Sequence, residues 1–426
     1  VGASVTFGVY GMPALAAEML NALDCQRTLP LYLQASLLPK AERGELVVKA
    51  IDAFPQFVRF PNTLEEVAAL GRIEECWFAR HLLACFYYNK RSYGKAIALW
   101  QRCVEMSPEF ADGWRGLAIH AWNKQHDYEL AARYLDNAYQ LAPQDARLLF
   151  ERDLLDKLSG VTPEKRLARL ENNLEIALKR DDMTAELLNL WHLTGQADKA
   201  ADILATRKFH PWEGGEGKVT SQFILNQLLR AWQHLDAREP QQASELLHAA
   251  LHYPENLSEG RLPGQTDNDI WFWQAVCANA QGDETEATRC LRLAATGDRT
   301  INIHSYYNDQ PVDYLFWQGM ALRLLGEQHT AQQLFSEMKQ WAQEMAKTSI
   351  EADFFAVSQP DLLSLYGDLQ QQHKEKCLMV AMLAAAGLGE VAHYESARAE
   401  LMAINPAWPK AALFTTVTPF IFSYVH

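Results

Sequence analysis

The sequence predicts an all-α fold, a solenoid of stacked antiparallel helix hairpins forming a curved superhelix. Three observations predict it. Apolar residues recur at helical spacing through most of the 426 residues. A pattern of Ala, a large apolar residue four later and a small residue three after that keeps returning. Strand character is confined to the last segment, "LFTTVTPFIFSYVH". Composition agrees, because 49% hydrophobic and 22% charged residues belong to a chain that buries a core.

Residues 1–72 form an N-terminal helical segment, in which "PNTLEEVAAL" offers Asn62 or Thr63 as an N-cap with glutamates in the first turn. Residues 73–158 carry the clearest units. Ala84 and Tyr87 belong to a first helix, Ala96, Trp100 and Cys103 to a second, and Pro108 closes the unit. The next has Trp114, Ala131, Leu135 and Ala138, and its Pro143 follows Pro108 by 35 residues. This is the tetratricopeptide signature: small residues let two helices approach, while the large one fills the groove of the next hairpin. No hairpin buries that face alone, and the per-repeat rotation of a stack generates a concave surface.

Residues 159–262 read as divergent repeats. Thr162 is an N-cap candidate with Pro163 at the first helical position, a weaker unit surrounds Ala200, and Ala243, Leu247 and Ala250 form another. Residues 263–410 continue with Ala275, Ala278, Ala287, Leu291 and Ala294, then Gly319, Ala331, Phe335 and Met338, then Ala392, Ser396 and Ala399. Residues 411–426 are expected as an extended tail or end cap. Two long connections, 304–317 and 352–369, are aromatic-rich and read as linkers packed by their own rings or as groove linings.

The formal charge of −14 and the absence of any basic run argue against nucleic acid. The longest apolar run, "CLMVAMLAAAGLG" at 377–389, falls short of the roughly 18–20 residues a membrane helix needs, so no membrane association and a cytoplasmic location are expected. Seven cysteines without a CxxC pair read as buried thiols rather than disulfides or a zinc site. The first residues lack an initiator Met and a signal-peptide n-region, as expected of a piece of a longer protein.

Motifs for hydrolases and metalloproteases are absent. "EGGEGKV" is no phosphate loop, because its glycine spacing before Lys218 is wrong and Val219 replaces the hydroxyl residue. Neither a cofactor nor a metal is expected. One constellation remains. "FHPWEGGEGK" at 209–218 and "LHYPENLSEGR" at 251–261 share an order of residues: His210 and Glu213 match His252 and Glu255, 42 residues on, while Glu216 and Lys218 match Glu259 and Arg261, 43 residues on. Solenoid geometry then sets both loops at equivalent corners of one face. The glutamates can accept hydrogen bonds from hydroxyls, Lys218 and Arg261 can neutralise them, and Trp212 offers a flat apolar face. The same residues also suit a clamp between corners, and the geometry discriminates. Carboxylates opening into a shared cleft favour binding or acid–base chemistry; carboxylates tied to backbone amides or to Lys218 and Arg261 favour the clamp.

At "RDDM", "FHPWEGGEGKV" and "YPENLSEGRL" the chain resembles the tetratricopeptide-containing C-terminal region of large bacterial YphG-like proteins. The resemblance covers about residues 50 to 410. It points to Arg180, Asp181 and Asp182, to His210 through Lys218, and to Tyr253 through Arg261, including Asn256. Met183 and Ser258 stand where the family pattern has Leu and Gly. The resemblance implies a preceding β-rich domain and a sugar-related genomic context rather than a reaction. The expected function is therefore a protein-interaction or ligand-binding scaffold whose partner is a peptide, a protein or the missing N-terminal β-rich domain. The alternative is a carbohydrate-binding or carbohydrate-processing protein using the paired glutamate loops.

Overall fold

The computed structural model describes residues 2–22, 28–53, 60–73, 75–302, 309–351 and 363–423, and every regular element among them is helical. The chain divides into two compact units, Val1–Leu155 with Asp353–Tyr366, and Asp156–Ala352 with Gly367–His426.

Helix starts follow from local chemistry. Thr63 rather than Asn62 caps Leu64–Gly71: its hydroxyl accepts from the Glu66 amide while Glu66 reaches back to the Thr63 amide, a reciprocal capping box. Asp127 and Asp283 cap Tyr128–Leu141 and Glu284–Ala294 from one side, each accepting an amide three residues on at 2.9 Å. Thr162 occupies the N-cap position of Pro163–Glu171 with Pro163 in the first turn, where its missing N–H costs nothing.

In the first unit, Trp77–Asn89 pairs with Tyr93–Met106, and Ala111–His120 with Tyr128–Leu141. Ala84, Ala96, Trp100 and Cys103 are fully buried. The reason the pattern needs small partners is visible at Gly116, where a Cβ would stand 2.4 Å from the Trp100 indole of the preceding hairpin. The second unit repeats this device: Phe335 lies between Gly319 and Gly387, whose added Cβ atoms would stand 2.3 and 2.4 Å from its ring. Each such ring removes enough apolar surface from water to contribute about 2–3 kcal/mol.

Two expectations fail. The C-terminal tail is not extended, since Ala411–Ser423 form a helix burying Leu413, Phe414, Val417 and Ile421. Phe414 stacks between Trp317 and Trp408, with ring planes within 22° and 16°, so tertiary burial overrides the β-branched and aromatic preference. The last repeat is also out of phase: Ala392, Ser396 and Ala399 are exposed, and Val391–Ile404 buries Tyr394 and Leu401 instead. Small residues at the right spacing occur by chance on a polar face, and the buried Tyr hydroxyl, bonded to Thr418 at 2.6 Å, gave no periodic signal.

The six described cysteines are all buried free thiols, while Cys25 lies outside the described residues. Among the described residues no helix is long and apolar enough to cross a membrane. Most of the connection 352–369 and residues 304–308 of the other aromatic segment also fall outside them.

Candidate functional site

In the second unit the two loops are brought together, and they are fastened to each other through main chain. The helix Ala197–Thr206 ends at Arg207, whose guanidinium turns back to Asp181 at 3.0 and 2.6 Å and to the Leu178 carbonyl at 2.5 Å, lying over the buried Phe209 ring. Both the amide and Nδ1 of His210 face the other Asp181 oxygen, at 3.0 and 3.1 Å. Burial alone would raise the Asp181 carboxyl, but the hydrogen bonds from Arg207 and His210 outweigh it and hold it below the ordinary carboxylate value. Arg180 and Asp182 pair with each other at 2.6 and 3.0 Å, and Asp182 also accepts the Met183 amide.

The second loop supplies the clamp. Asn256 donates from Nδ2 to the carbonyls of Leu204 and Arg207 at 2.8 and 2.7 Å, and its own carbonyl accepts the Phe209 amide at 2.8 Å. One side chain thus satisfies carbonyls that the end of Ala197–Thr206 leaves without helical partners. Ser258 adopts φ 60°, a left-handed conformation that Gly accepts more freely, and its hydroxyl donates to the Phe209 carbonyl at 2.6 Å. Glu259 accepts the Gly217 amide at 3.0 and 3.3 Å, with the Thr220 hydroxyl at 3.2 Å. Its carboxylate sits at the N-terminus of Lys218–Asp236, where the helix dipole favours negative charge. Gly217, at φ 75°, makes the turn that aims that amide outward.

The remaining candidates are not joined to this clamp. Glu213, Glu216, Lys218 and Glu255 are exposed, with no side-chain hydrogen bond or ion pair among the described residues. Lys218 therefore neutralises no glutamate, and Arg261 pairs instead with buried Asp267 and the Gln265 carbonyl at 3.0 Å. That expectation is corrected for a simple reason: Asp267 is 1% exposed and requires a cation, whereas exposed glutamates are satisfied by water. His252 meets the ring of His248 at 5.3 Å, and half-buried Trp212 lies against Gly215, where a Cβ would stand 1.9 Å from the indole. Of the four glutamates, Glu259 is bound to backbone as a clamp requires. Replacing Asn256 with Ala is expected to cost about 1–3 kcal/mol, the penalty of two carbonyls losing their donor. Urea titration checks this through a lowered midpoint at unchanged slope.

The first unit holds an arrangement that sequence reasoning missed. Ala111–His120 continues into a π turn, Ala121–Gln125, that ends at His126 with φ 55°. Such turns often occur at functional positions. This one carries Trp122 and Asn123, which, with Arg115, hold residues 363–366. Asn123 Nδ2 donates to the Ser364 carbonyl at 2.8 Å and Oδ1 accepts the Tyr366 amide at 3.0 Å. Trp122 Nε1 donates to the Tyr366 carbonyl at 2.9 Å, and Arg115, fixed by Glu151 through three contacts of 2.5–2.9 Å, donates to the Leu363 carbonyl at 2.7 Å. The segment lies in no helix, so its polar backbone is satisfied by these side chains. The available signal was "AWNKQHD": a Trp–Asn pair after a helix whose usual hairpin turn comes late.

No family model matches the chain. Among solved structures it is similar to Naa15/Naa10 bound to HypK-THB, at 13% identity over 93% of this chain and 52% of that one, with a TM-score of 0.36. It is also similar to the P58(IPK) TPR domain, at 15% identity over 76% of this chain and 87% of that one, TM-score 0.27. The APC/C hetero-tetramer Cut9–Hcn1 is similar at 12% identity over 99% and 81%, TM-score 0.25. The chain spans about half the length of the first of these.

Proposed function

We propose that the chain is a polypeptide-binding scaffold, and that the face carrying Arg115, Trp122 and Asn123 holds a partner segment by its main chain. The observation that carries this reading is the two-way contact of Asn123, whose amide accepts one backbone N–H and donates to a backbone carbonyl two residues away. A side-chain amide presents a donor and an acceptor side by side, as a paired strand does, so it reads extended backbone without regard to residue type. Arg115 adds a donor whose direction is fixed by the buried Glu151 pair.

The corner at 204–217 and 256–259 serves this function by rigidity. The Asn256 amide and the Glu259 carboxylate are spent on backbone there, which ties neighbouring segments of the second unit together.

The test is an array of immobilised peptides probed with the full chain, with Asn123→Ala and with Trp122→Phe. Peptides retained by the wild type are expected to lose at least tenfold in affinity with Asn123→Ala, as each main-chain contact contributes about 1 kcal/mol and an orphaned one costs more. A set of bound peptides unaffected by both variants would remove this face from the reading.

A further inference from the structure

We infer that residues 363–366 are a built-in competitor: a strap from the same chain that occupies the polypeptide-binding face and must be displaced by the partner segment. This rests on the reading of that face as a polypeptide site and names what regulates it.

Four hydrogen bonds hold the strap, and all four end on its main chain: the carbonyls of Leu363, Ser364 and Tyr366 and the amide of Tyr366. None depends on a strap side chain. Among its side chains Leu365 is the buried one, 7% exposed, whereas Tyr366 is 39% exposed. That is how a ligand is read: backbone for affinity, one buried side chain for selectivity. The strap also stands 241–248 residues from its receptors in sequence, while the hairpins of Trp77–Asn89 to Tyr128–Leu141 pack on one another. The receptor side is rigid and preassembled: Asn123 Nδ2 also lies 3.3 Å from the Tyr88 hydroxyl, and Tyr88 is fully buried.

The partner implied is an extended polypeptide with an aliphatic residue where Leu365 sits, followed by a residue that tolerates solvent. It carries the same carbonyl, carbonyl, amide, carbonyl sequence as any backbone. A tethered competitor acts at an effective concentration of about millimolar, so it screens out weak partners and yields to strong ones.

The experiment uses the full chain with Leu363–Tyr366 replaced by Gly-Pro-Gly-Pro, which removes the Leu365 side chain and the amide that Asn123 accepts, and a fluorescein-labelled peptide, Leu-Ser-Leu-Tyr-Gly-Asp, copied from residues 363–368. Fluorescence anisotropy is expected to show binding to the replaced chain at least tenfold tighter than to the wild type, and loss of that binding when Asn123→Ala is added. Equal affinity for both chains would overturn the strap while leaving the face as a polypeptide site. No binding to the replaced chain at millimolar peptide would overturn the face itself and the strap with it. If the replaced chain does not fold, hydrogen exchange on the wild type and Asn123→Ala decides: the Tyr366 amide should exchange at least tenfold faster in the variant with Leu383 in the second unit unchanged, and equal rates would overturn the strap.

Discussion

Glu186→Gln is expected to destabilise the second unit by about 3 kcal/mol, at the lower end of the range for breaking a buried ion pair from one side. Glu186 lies on the helix Asp181–Leu193 and meets both Lys157 and Arg166, the latter at 3.1 Å. The two cations respond differently to its loss. Lys157 is 28% exposed and can turn into water, whereas Arg166 is 0% exposed and keeps its charge in the interior with one carboxylate fewer. The electrostatics of Glu186 point the same way. Burial would raise its carboxyl, but Lys157 and Arg166 prevail and bring it down to about 2. A depressed carboxylate contributes stability that is present above its unfolded value of 4.5 and lost as pH falls through about 2. Between those values the contribution is about 3 kcal/mol, at 1.4 kcal/mol per pH unit. Hydrogen exchange of the Leu187–Leu190 amides should therefore show a wide gap between wild type and variant at pH 7. By pH 3 that gap should narrow to about 1 kcal/mol, since the wild type by then loses what the variant never had. A constant gap would mean that the ionisation of Glu186 does not set the difference.

Glu186 shows what the sequence hides. It sits in "TAELLNLW", an apolar helix where a glutamate reads as a solvent-facing position, and its two cations lie 20 and 29 residues away. Where a constraint is local or periodic it was legible. Trp100 and Phe335 announced close-packed neighbours, and Gly116 and Gly319 supplied them; the spacing of 42–43 residues placed 209–218 beside 251–261, where Asn256 and Glu259 now hold Phe209 and Gly217. What could not be read was the assignment of partners within that corner. Four glutamates are equivalent in sequence, yet Glu259 alone lies beside an outward-turned amide, and Arg261 goes to an aspartate whose burial no pattern reveals. The strap was still less legible, because contacts across 241–248 residues leave no periodic mark, and one π turn aims Trp122 and Asn123. Exposed His210, one of the binding candidates, gives its ring and amide to Asp181 instead.

Lys410→Met is expected to cost about 3–4 kcal/mol at pH 7, again from uncompensated buried charge, now of the opposite sign. Lys410 pairs with Asp313 and lies over the Tyr314 ring, and the buried carboxylates of Asp267 and Asp269 stand nearby, only Asp267 having its own cation in Arg261. Asp269 is the responsive member. Its burial, with the charges of Asp313 and Asp267, pushes its carboxyl up to about 7 even though Lys410 pulls it down. The sign is then opposite to that of Glu186. A raised carboxyl contributes stability that is fully present below its unfolded value of 3.8 and lost as pH rises through about 7, some 4 kcal/mol across the window. His81 and His192, buried with values lowered to about 4 by desolvation, act in the other direction, and part of their effect extends above pH 6.5 because unfolded histidines are still partly protonated there. They contribute equally to the wild type and the variant, so the aspartate is read from the difference between the two. The melting temperature of the wild type relative to Asp269→Asn, which has no proton to lose, should therefore fall from about pH 5 to about pH 8 and stay constant above that. In Lys410→Met the fall should be deeper and extend to higher pH, because without the ammonium group Asp269 holds its proton longer. Parallel profiles for all three proteins would show that Lys410 contributes packing over Tyr314 rather than charge, and that the cluster is already neutral in the folded state.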